Sequence, residues 1–306
     1  MRQARLVCEM RRGTRWWLGL LLCLCLAPLQ HAVARQTDRY AQGLLWKIEA
    51  PGIEPSHIFG TVHLADARVT TLPAPVRAAL NASSSFTMEL TFEPANVQQL
   101  AGRMFYTDGR NLAQVAGPAL FEKAAAIVGK LGMPAQVMPL MKPWAVTLML
   151  LMPQQDPAGV LDNVLHGIAR ERGLKVHQLE SVEEQVGVFE NMPESDQVLM
   201  LRYTLEQRGR MQDAMRRMVD AYIARDLAAV ARIADEDDGA DAQMKQMNER
   251  LKKHALDERN TRMAERMQPQ LKAGRAFVAI GALHLYGERS VLALLESQGF
   301  RVSRVY

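Results

Sequence analysis

The stretch AIGALHL at residues 279–285 decides how this chain folds, because IFGTVHL at residues 58–64 repeats its pattern near the other end. Each stretch is an apolar run that breaks at a glycine and places a histidine three residues later. An apolar run ending in glycine predicts a buried strand that leaves its sheet, since glycine tolerates close approaches that other residues do not. Ligands bind at the carboxyl edge of strands in α/β sheets. The repeat therefore predicts that His63 and His284 meet at one edge of a sheet.

The first 34 residues have the layout of a secretory signal peptide. Arginines are followed by an apolar core from Trp16 to about Leu29 and by Ala32-Val33-Ala34, an A-x-A cleavage site. The apolar core is shorter than the roughly 20 residues that a membrane-spanning helix needs. We predict an exported protein, periplasmic or secreted, that is cleaved near Ala34 and has no stable membrane insertion.

The charge and cysteine content of the chain after residue 34 exclude several classes of function. The chain has a formal net charge of +4, and the segment before Arg35, with five arginines and one glutamate, accounts for all of it. A neutral mature chain gives no electrostatic reason to bind nucleic acid. All three cysteines, at positions 8, 23 and 25, also lie in this segment. Disulfides, a cysteine nucleophile and thiolate metal sites are thus excluded, and His, Asp and Glu remain as strong metal ligands.

Strand patterns lie at both ends of the mature chain, and helical patterns fill its middle. A hairpin is predicted around Pro51-Gly52, then a short helix at about 75–81 and a strand at 85–90 with Glu89 near its carboxyl end. Between two helical blocks, residues 175–179 form a brief strand. Near the carboxyl terminus come strands at 276–280 and 301–305, with a helix at 290–297 between them.

These patterns predict an α/β fold with a mixed central sheet, built from strands of both chain ends and flanked by a large helical middle. We expect a single domain at residues 35–306 after the signal peptide at 1–34. Its helical insertions fall at about 92–172 and 182–272.

The candidate catalytic set is His63, His284 and Glu89, with Arg259 and Asn260 as supporting groups. Two imidazoles and a carboxylate are a familiar ligand set for zinc, manganese, cobalt or iron, and a bound water would then ionise near neutral pH. Without a metal, His or Glu could act as general base while Arg259 stabilises an oxyanion. The sequence leaves both mechanisms open.

Each of these residues also has a simpler structural interpretation. A histidine after a strand is usually a hydrogen-bonded structural residue, and Glu89 could cap a segment or pair with an arginine. Arg259, Arg262 and Arg266 recur at helical spacing, which is typical of a solvated helix face.

Motifs along the whole mature chain resemble the TraB/GumN family, which is related to the Tiki metalloproteases and more distantly to erythromycin-esterase and ChaN-like proteins. The matching motifs are LWKI at 45–48, FGTVH at 59–63, MEL at 88–90, KPW at 142–144, LD at 161–162, LES at 179–181 with Gln185, RN at 259–260 and FVAIGALHL at 277–285.

The resemblance implies a mixed sheet with helices packed around it and a hydrolase activity. Tiki-like members are described as proteases that depend on a divalent metal such as manganese or cobalt and use two glycine-x-x-histidine motifs with an acidic residue. Carried over, His63, His284 and Glu89 would hold the metal, with Arg259 in support. The esterase relatives are thought to work through His and Glu without metal.

We therefore expect an exported, metal-dependent hydrolase with peptidase-like activity, using manganese, cobalt or zinc, on a peptide or small-molecule substrate. The alternative is a non-catalytic or metal-independent protein that binds a small ligand, haem or a polypeptide in the same cleft.

Overall fold

The computed structural model describes residues 39–152, 155–236 and 240–306. The predicted signal peptide, its cleavage site and the three cysteines lie outside the described residues. So does part of the acidic run at 235–238.

A six-stranded mixed sheet forms the centre of the described structure, with strand order β4-β3-β5-β2-β1-β6. The strands are β1 Leu45–Ala50, β2 Ile53–Thr61, β3 Ser85–Met88, β4 Lys175–Gln178, β5 Ala276–Gly281 and β6 Arg301–Arg304. Strands β4, β3, β5 and β2 run parallel to one another, while β1 pairs antiparallel with both β2 and β6. This is the α/β fold with a mixed sheet that the sequence predicts.

The hairpin predicted around Pro51-Gly52 is β1 and β2, paired with Leu45 opposite Phe59. Gly52 lies in its turn with a φ of 75°, a backbone conformation that favours glycine. The late strand β5 then inserts between β2 and β3, so that neighbours in the sheet are far apart in the chain.

Helices occupy the residues between the strands. They are α1 Ala67–Thr70, α2 Ala74–Ala82, α3 Pro94–Arg103, α4 Leu112–Ala116, α5 Pro118–Lys130, α6 Pro143–Leu151, α7 Leu161–Glu171, α8 Val182–Glu190, α9 Glu194–Glu206, α10 Arg208–Ile223, α11 Leu227–Ala234, α12 Ala242–Lys252, α13 Glu258–Arg266, α14 Gln268–Ala273 and α15 Val291–Ser297. Short 3-10 turns lie at Met138–Leu140, Pro157–Gly159 and Ala282–Leu285, and a π-helical turn at Lys253–Asp257 joins α12 to α13.

Two apolar clusters hold these layers together. The larger covers the sheet and includes Trp46, Phe86 and Phe277. The other lies among the middle helices around Trp144 and Leu201. Burial of apolar surface is the main term that stabilises both. No helix among the described residues is long and apolar enough to cross a membrane.

Candidate functional site

Each of the four parallel strands delivers one charged or ionisable side chain at its carboxyl end. His63 follows β2 by two residues, Glu89 follows β3 directly, Glu180 follows β4, and His284 lies in the 3-10 turn after β5. Thr61 is paired with Gly281, and Met88 with Ala279, so these strands end at the same edge of the sheet. The fold thus brings together residues that are more than 200 positions apart.

The two glycines of the repeated motif are required by space. A Cβ on Gly60 would lie 2.8 Å from Leu285 Cδ1, and one on Gly281 would lie 3.3 Å from Glu89 Oε1 and 3.4 Å from His284 Cδ2. Neither residue has a positive φ. Both glycines therefore serve the close approach that the sequence pattern predicts, and at Gly281 this approach is made by the Glu89 and His284 side chains.

The buried Glu89 carboxylate accepts hydrogen bonds on both oxygens. The Gly281 amide donates to Oε1 at 2.6 Å, Arg259 Nη2 donates to Oε2 at 2.7 Å, and Gln185 Nε2 donates to Oε2 at 3.3 Å. Burial alone would raise the pKa of Glu89, but the positive charge of His284 when protonated, then Arg259 and His63, together with the Gly281 amide, lower it to about 2. Glu89 is therefore ionised at neutral pH.

His284 is buried, and its hydrogen bonds fix its tautomer. Asn260 Nδ2 donates to the Arg289 carbonyl at 2.8 Å, so the Asn260 Oδ1 atom that lies 2.6 Å from His284 Nδ1 is an acceptor. Nδ1 must then carry the proton. Burial lowers the pKa of His284 to about 4 despite the opposing effect of Glu89. At neutral pH the ring is therefore uncharged, and Arg259 and His63 are the positive charges that still lower the pKa of Glu89.

The Nε2 atom of His284 consequently presents a lone pair to Glu89 Oε1, 3.7 Å away. Two buried acceptors that face each other need a proton or a cation between them to be stable.

His63 is held differently, since half of its side chain is exposed (51%). Its Nδ1 lies 2.8 Å from Asp162 Oδ2, and Thr61 Oγ1 donates to Asp162 Oδ1 at 2.7 Å. Desolvation would lower the pKa of His63, but the charge and hydrogen bond of Asp162 outweigh it and raise the pKa to about 9. His63 is a cation at neutral pH and is near enough to Glu89 and His284 to influence the pKa of both.

Arg259 and Asn260 both reach the site from the start of α13. Arg259 binds Glu180 through Nε at 3.0 Å and Nη2 at 2.6 Å in addition to Glu89, and only 13% of its side chain is exposed. Arg262 Nη2 lies 3.5 Å from the fully buried Glu180, and Arg266 binds Glu184 through two bonds of 2.7 Å. The interpretation as a solvated face is therefore wrong for Arg259. Arg262 and Arg266 keep 32% and 44% of their side chains exposed while they pair with Glu180 and Glu184.

The predicted three-ligand metal set is assembled only in part. Among the described residues, no group of three His, Cys, Asp or Glu side chains is placed to hold one metal ion. The physical reason lies in the contacts: His63 Nδ1 is hydrogen-bonded to Asp162, and one oxygen of Glu89 is hydrogen-bonded to Arg259. The donor chemistry nonetheless fits a cation, since His284 Nε2 and Glu89 Oε1 are two facing acceptors. His63 Nε2 has no hydrogen-bond partner in the described part of the chain and can bind a metal once it gives up its proton.

A cavity of about 820 Å³ lies beside this site. Its lining includes Leu283, which precedes His284, and Ala255, whose carbonyl accepts a bond of 3.3 Å from Arg259. Met211 and Met244 give it an adaptable apolar surface. None of His63, Glu89 and His284 is among its lining residues.

Sequence reasoning assigned no role to four residues that the structure places in the site. Thr61, Asp162, Glu180 and Gln185 entered only as parts of motifs that carry the family resemblance. Glu180 follows a strand as Glu89 does, so the same strand-end signal could have found it. Asp162 lies in the first turn of α7, where an acidic residue is ordinary, and no local signal distinguishes it.

Comparison with known proteins shows what this chain is similar to in sequence. Metalloprotease TIKI2 from Danio rerio is 23% identical to the chain, over 95% of this chain and 67% of that protein. No solved structure matches the chain at a significant level. The model of the TraB/PrgY/gumN family matches residues 44–304, nearly all of the described structure. The chain belongs to the TraB/PrgY/gumN family.

Proposed function

We propose that this protein is an exported, metal-dependent hydrolase that cleaves a peptide or related amide, with His63, His284 and Glu89 as the metal-binding residues. One observation carries the proposal: His284 Nε2 and Glu89 Oε1 are two acceptors, both on buried side chains, that face each other at 3.7 Å. The distant similarity to a metalloprotease supports the same reaction class.

A divalent metal, when bound, makes a water molecule ionise near neutral pH, and the metal also polarises the scissile carbonyl. The chain's own residues do the remaining work. Asn260 holds His284 with its proton on Nδ1, and Asp162 holds His63. Arg259 keeps Glu89 ionised and would stabilise an oxyanion that develops on the substrate. The adjoining cavity has the size of a typical ligand site and would take the flanking substrate residues.

A metal-independent hydrolase is the second candidate, and the hydrogen bonds of Glu89 favour it. Both carboxylate oxygens are already satisfied, by the Gly281 amide and by Arg259. His63, a cation at neutral pH, would then serve as general acid toward the leaving group.

Metal titration of the purified protein separates the two candidates. We expect Mn²⁺, Co²⁺ or Zn²⁺ to raise the melting temperature of the wild type and to bind in isothermal titration calorimetry. Glu89→Gln and His284→Ala should each abolish this effect, because each removes one of the facing acceptors. The matched control is His57→Ala in the middle of β2, six residues before His63 and paired with Phe277 near the start of β5; it should bind metal as the wild type does. Absence of metal binding by the wild type would contradict the metal-dependent proposal.

A further inference from the structure

The Asp162 carboxylate joins α7 to the end of β2 and is fully engaged there. The residue is 4% exposed, and its oxygens contact two side chains about a hundred positions away, Thr61 and His63. A carboxylate is taken out of water only where hydrogen bonds replace its hydration. Because each oxygen already has a donor, Asp162 is better suited to hold another group than to bind a metal itself.

The two histidines of the repeated motif share one arrangement. His63 and His284 are each held at Nδ1 by an oxygen acceptor, at 2.8 Å and 2.6 Å, and each keeps Nε2 for another partner. The holders come from different helices, Asp162 from α7 and Asn260 from α13. Each histidine of the repeated motif thus has its own supporting side chain, and these two side chains do not belong to any sequence repeat.

Asn260 and Asp162 differ in charge, and the imidazole rings that they hold differ in exposure. Asn260 is neutral and supports a buried ring, whereas Asp162 is a carboxylate and supports a ring that is half exposed. An exposed imidazole rotates between rotamers, and its protons can occupy either nitrogen. A carboxylate on Nδ1 fixes the ring orientation, keeps that nitrogen as a donor and makes the other nitrogen a stronger ligand.

Resting on the proposed function, we propose that Asp162 is a positioning residue for His63, and that Thr61 holds the Asp162 carboxylate in place. Asp162 acts through the imidazole and contacts neither substrate nor metal. In proteins that bind metals through histidine, removal of such a supporting group typically weakens metal affinity by about 10–100-fold.

The test uses the metal ion alone as probe on the purified protein. In isothermal titration calorimetry with Zn²⁺ and Mn²⁺, we expect Asp162→Asn to weaken affinity about 10–100-fold. Thr61→Val should weaken it less, since the bond from His63 to Oδ2 remains. The control is Asp226→Asn, which removes another carboxylate with a structural role, the cap that accepts from the Ala229 amide, far from His63 in sequence. It should leave metal affinity unchanged.

A second readout does not depend on metal. In ¹⁵N-edited spectra of the histidine rings, Asp162→Asn should change the Nδ1 shift of His63 and leave those of His284 in place. A variant that folds with wild-type melting behaviour and shows wild-type affinity, or an unchanged His63 ring spectrum, overturns the role of Asp162. If the wild type binds no metal but the ring spectrum responds, the proposed metal dependence fails while the positioning role of Asp162 stands.

Discussion

Gly281 is the residue whose lack of a side chain lets Glu89 and His284 approach each other. A Cβ there would lie 3.3 Å from Glu89 Oε1 and 3.4 Å from His284 Cδ2, so the Glu89 carboxylate would have to shift by a few tenths of an ångström. We expect Gly281→Ala to lower the free energy of unfolding by about 1–3 kcal/mol, as overpacking of a buried site does. It should also weaken metal binding. Urea unfolding and calorimetry measure the two effects.

Gly167→Ala is the matched control for this substitution. Gly167 lies inside α7, and a Cβ there would meet nothing within 4 Å. Alanine is the better helix former by roughly 0.5–1 kcal/mol, so this variant should be slightly more stable than the wild type. If both variants unfold at the same urea concentration, space at Gly281 is not limiting.

At this scale the sequence indicates some site residues and hides others. The glycine-x-x-histidine repeat predicts His63 and His284 as site residues, because the end of a buried strand has a recognisable local sequence pattern. Asp162 leaves none: its contacts with Thr61 and His63 join residues 101 and 99 positions apart, and an acidic residue early in a helix is ordinary. Arg259 shows the reverse error, since its helical spacing indicates a solvated face until its partners Glu89 and Glu180 are known.

Among the elements, α8 and α13 are joined by the ion pair of Glu184 with Arg266, whose strength depends on pH. Arg266 donates to both oxygens of Glu184 at 2.7 Å, and this bond, with the Ser181 amide, lowers the pKa of Glu184 to about 2. A carboxyl whose pKa is lower in the folded state stabilises that state above its unfolded pKa of about 4.5. That contribution is lost as the pH falls toward 2.

We expect Glu184→Gln to be about 1 kcal/mol less stable than the wild type at pH 7. It loses the two charge-assisted hydrogen bonds from Arg266 but keeps a side chain that can accept from the Ser181 amide. The difference should shrink as the pH falls below 4.5 and approach zero near pH 2. Urea unfolding at several pH values measures it. Glu122→Gln is the control, since Glu122 is exposed on α5 and makes no ion pair among the described residues. A Glu184→Gln deficit that stays constant with pH would contradict this account.

For the whole molecule, strand order decides where substitutions are most costly. Val278 is fully buried on β5 at the centre of the sheet, and Val176 is half-buried on β4 at its edge. We expect Val278→Ala to lower the free energy of unfolding by about 2–3 kcal/mol, because apolar burial is lost and a cavity remains. Val176→Ala should cost about 1 kcal/mol or less. Equal costs in chemical denaturation would argue against β5 as the central strand.

The elements of the fold were predictable from sequence, but their arrangement was less so. The hairpin, the strands at 85–90 and 276–280 and the helices at about 75–81 and 290–297 each carry a local pattern of apolar residues or turns. The insertion of β5 between β2 and β3 carries no local pattern, because it depends on contacts between Phe59 and Ala279, 220 positions apart. Only the repeated motif pointed to that pairing.

The central place of β5 also has a consequence for the order in which the protein is made. Strands β2 and β3 do not pair with each other and join one sheet only through β5, which the ribosome makes long after both. A growing chain therefore lacks both the central strand of the sheet and His284 until β5 has been made, and long-range pairing of this kind is slow. Because His284 follows β5, a partly made chain has no complete candidate site before that point.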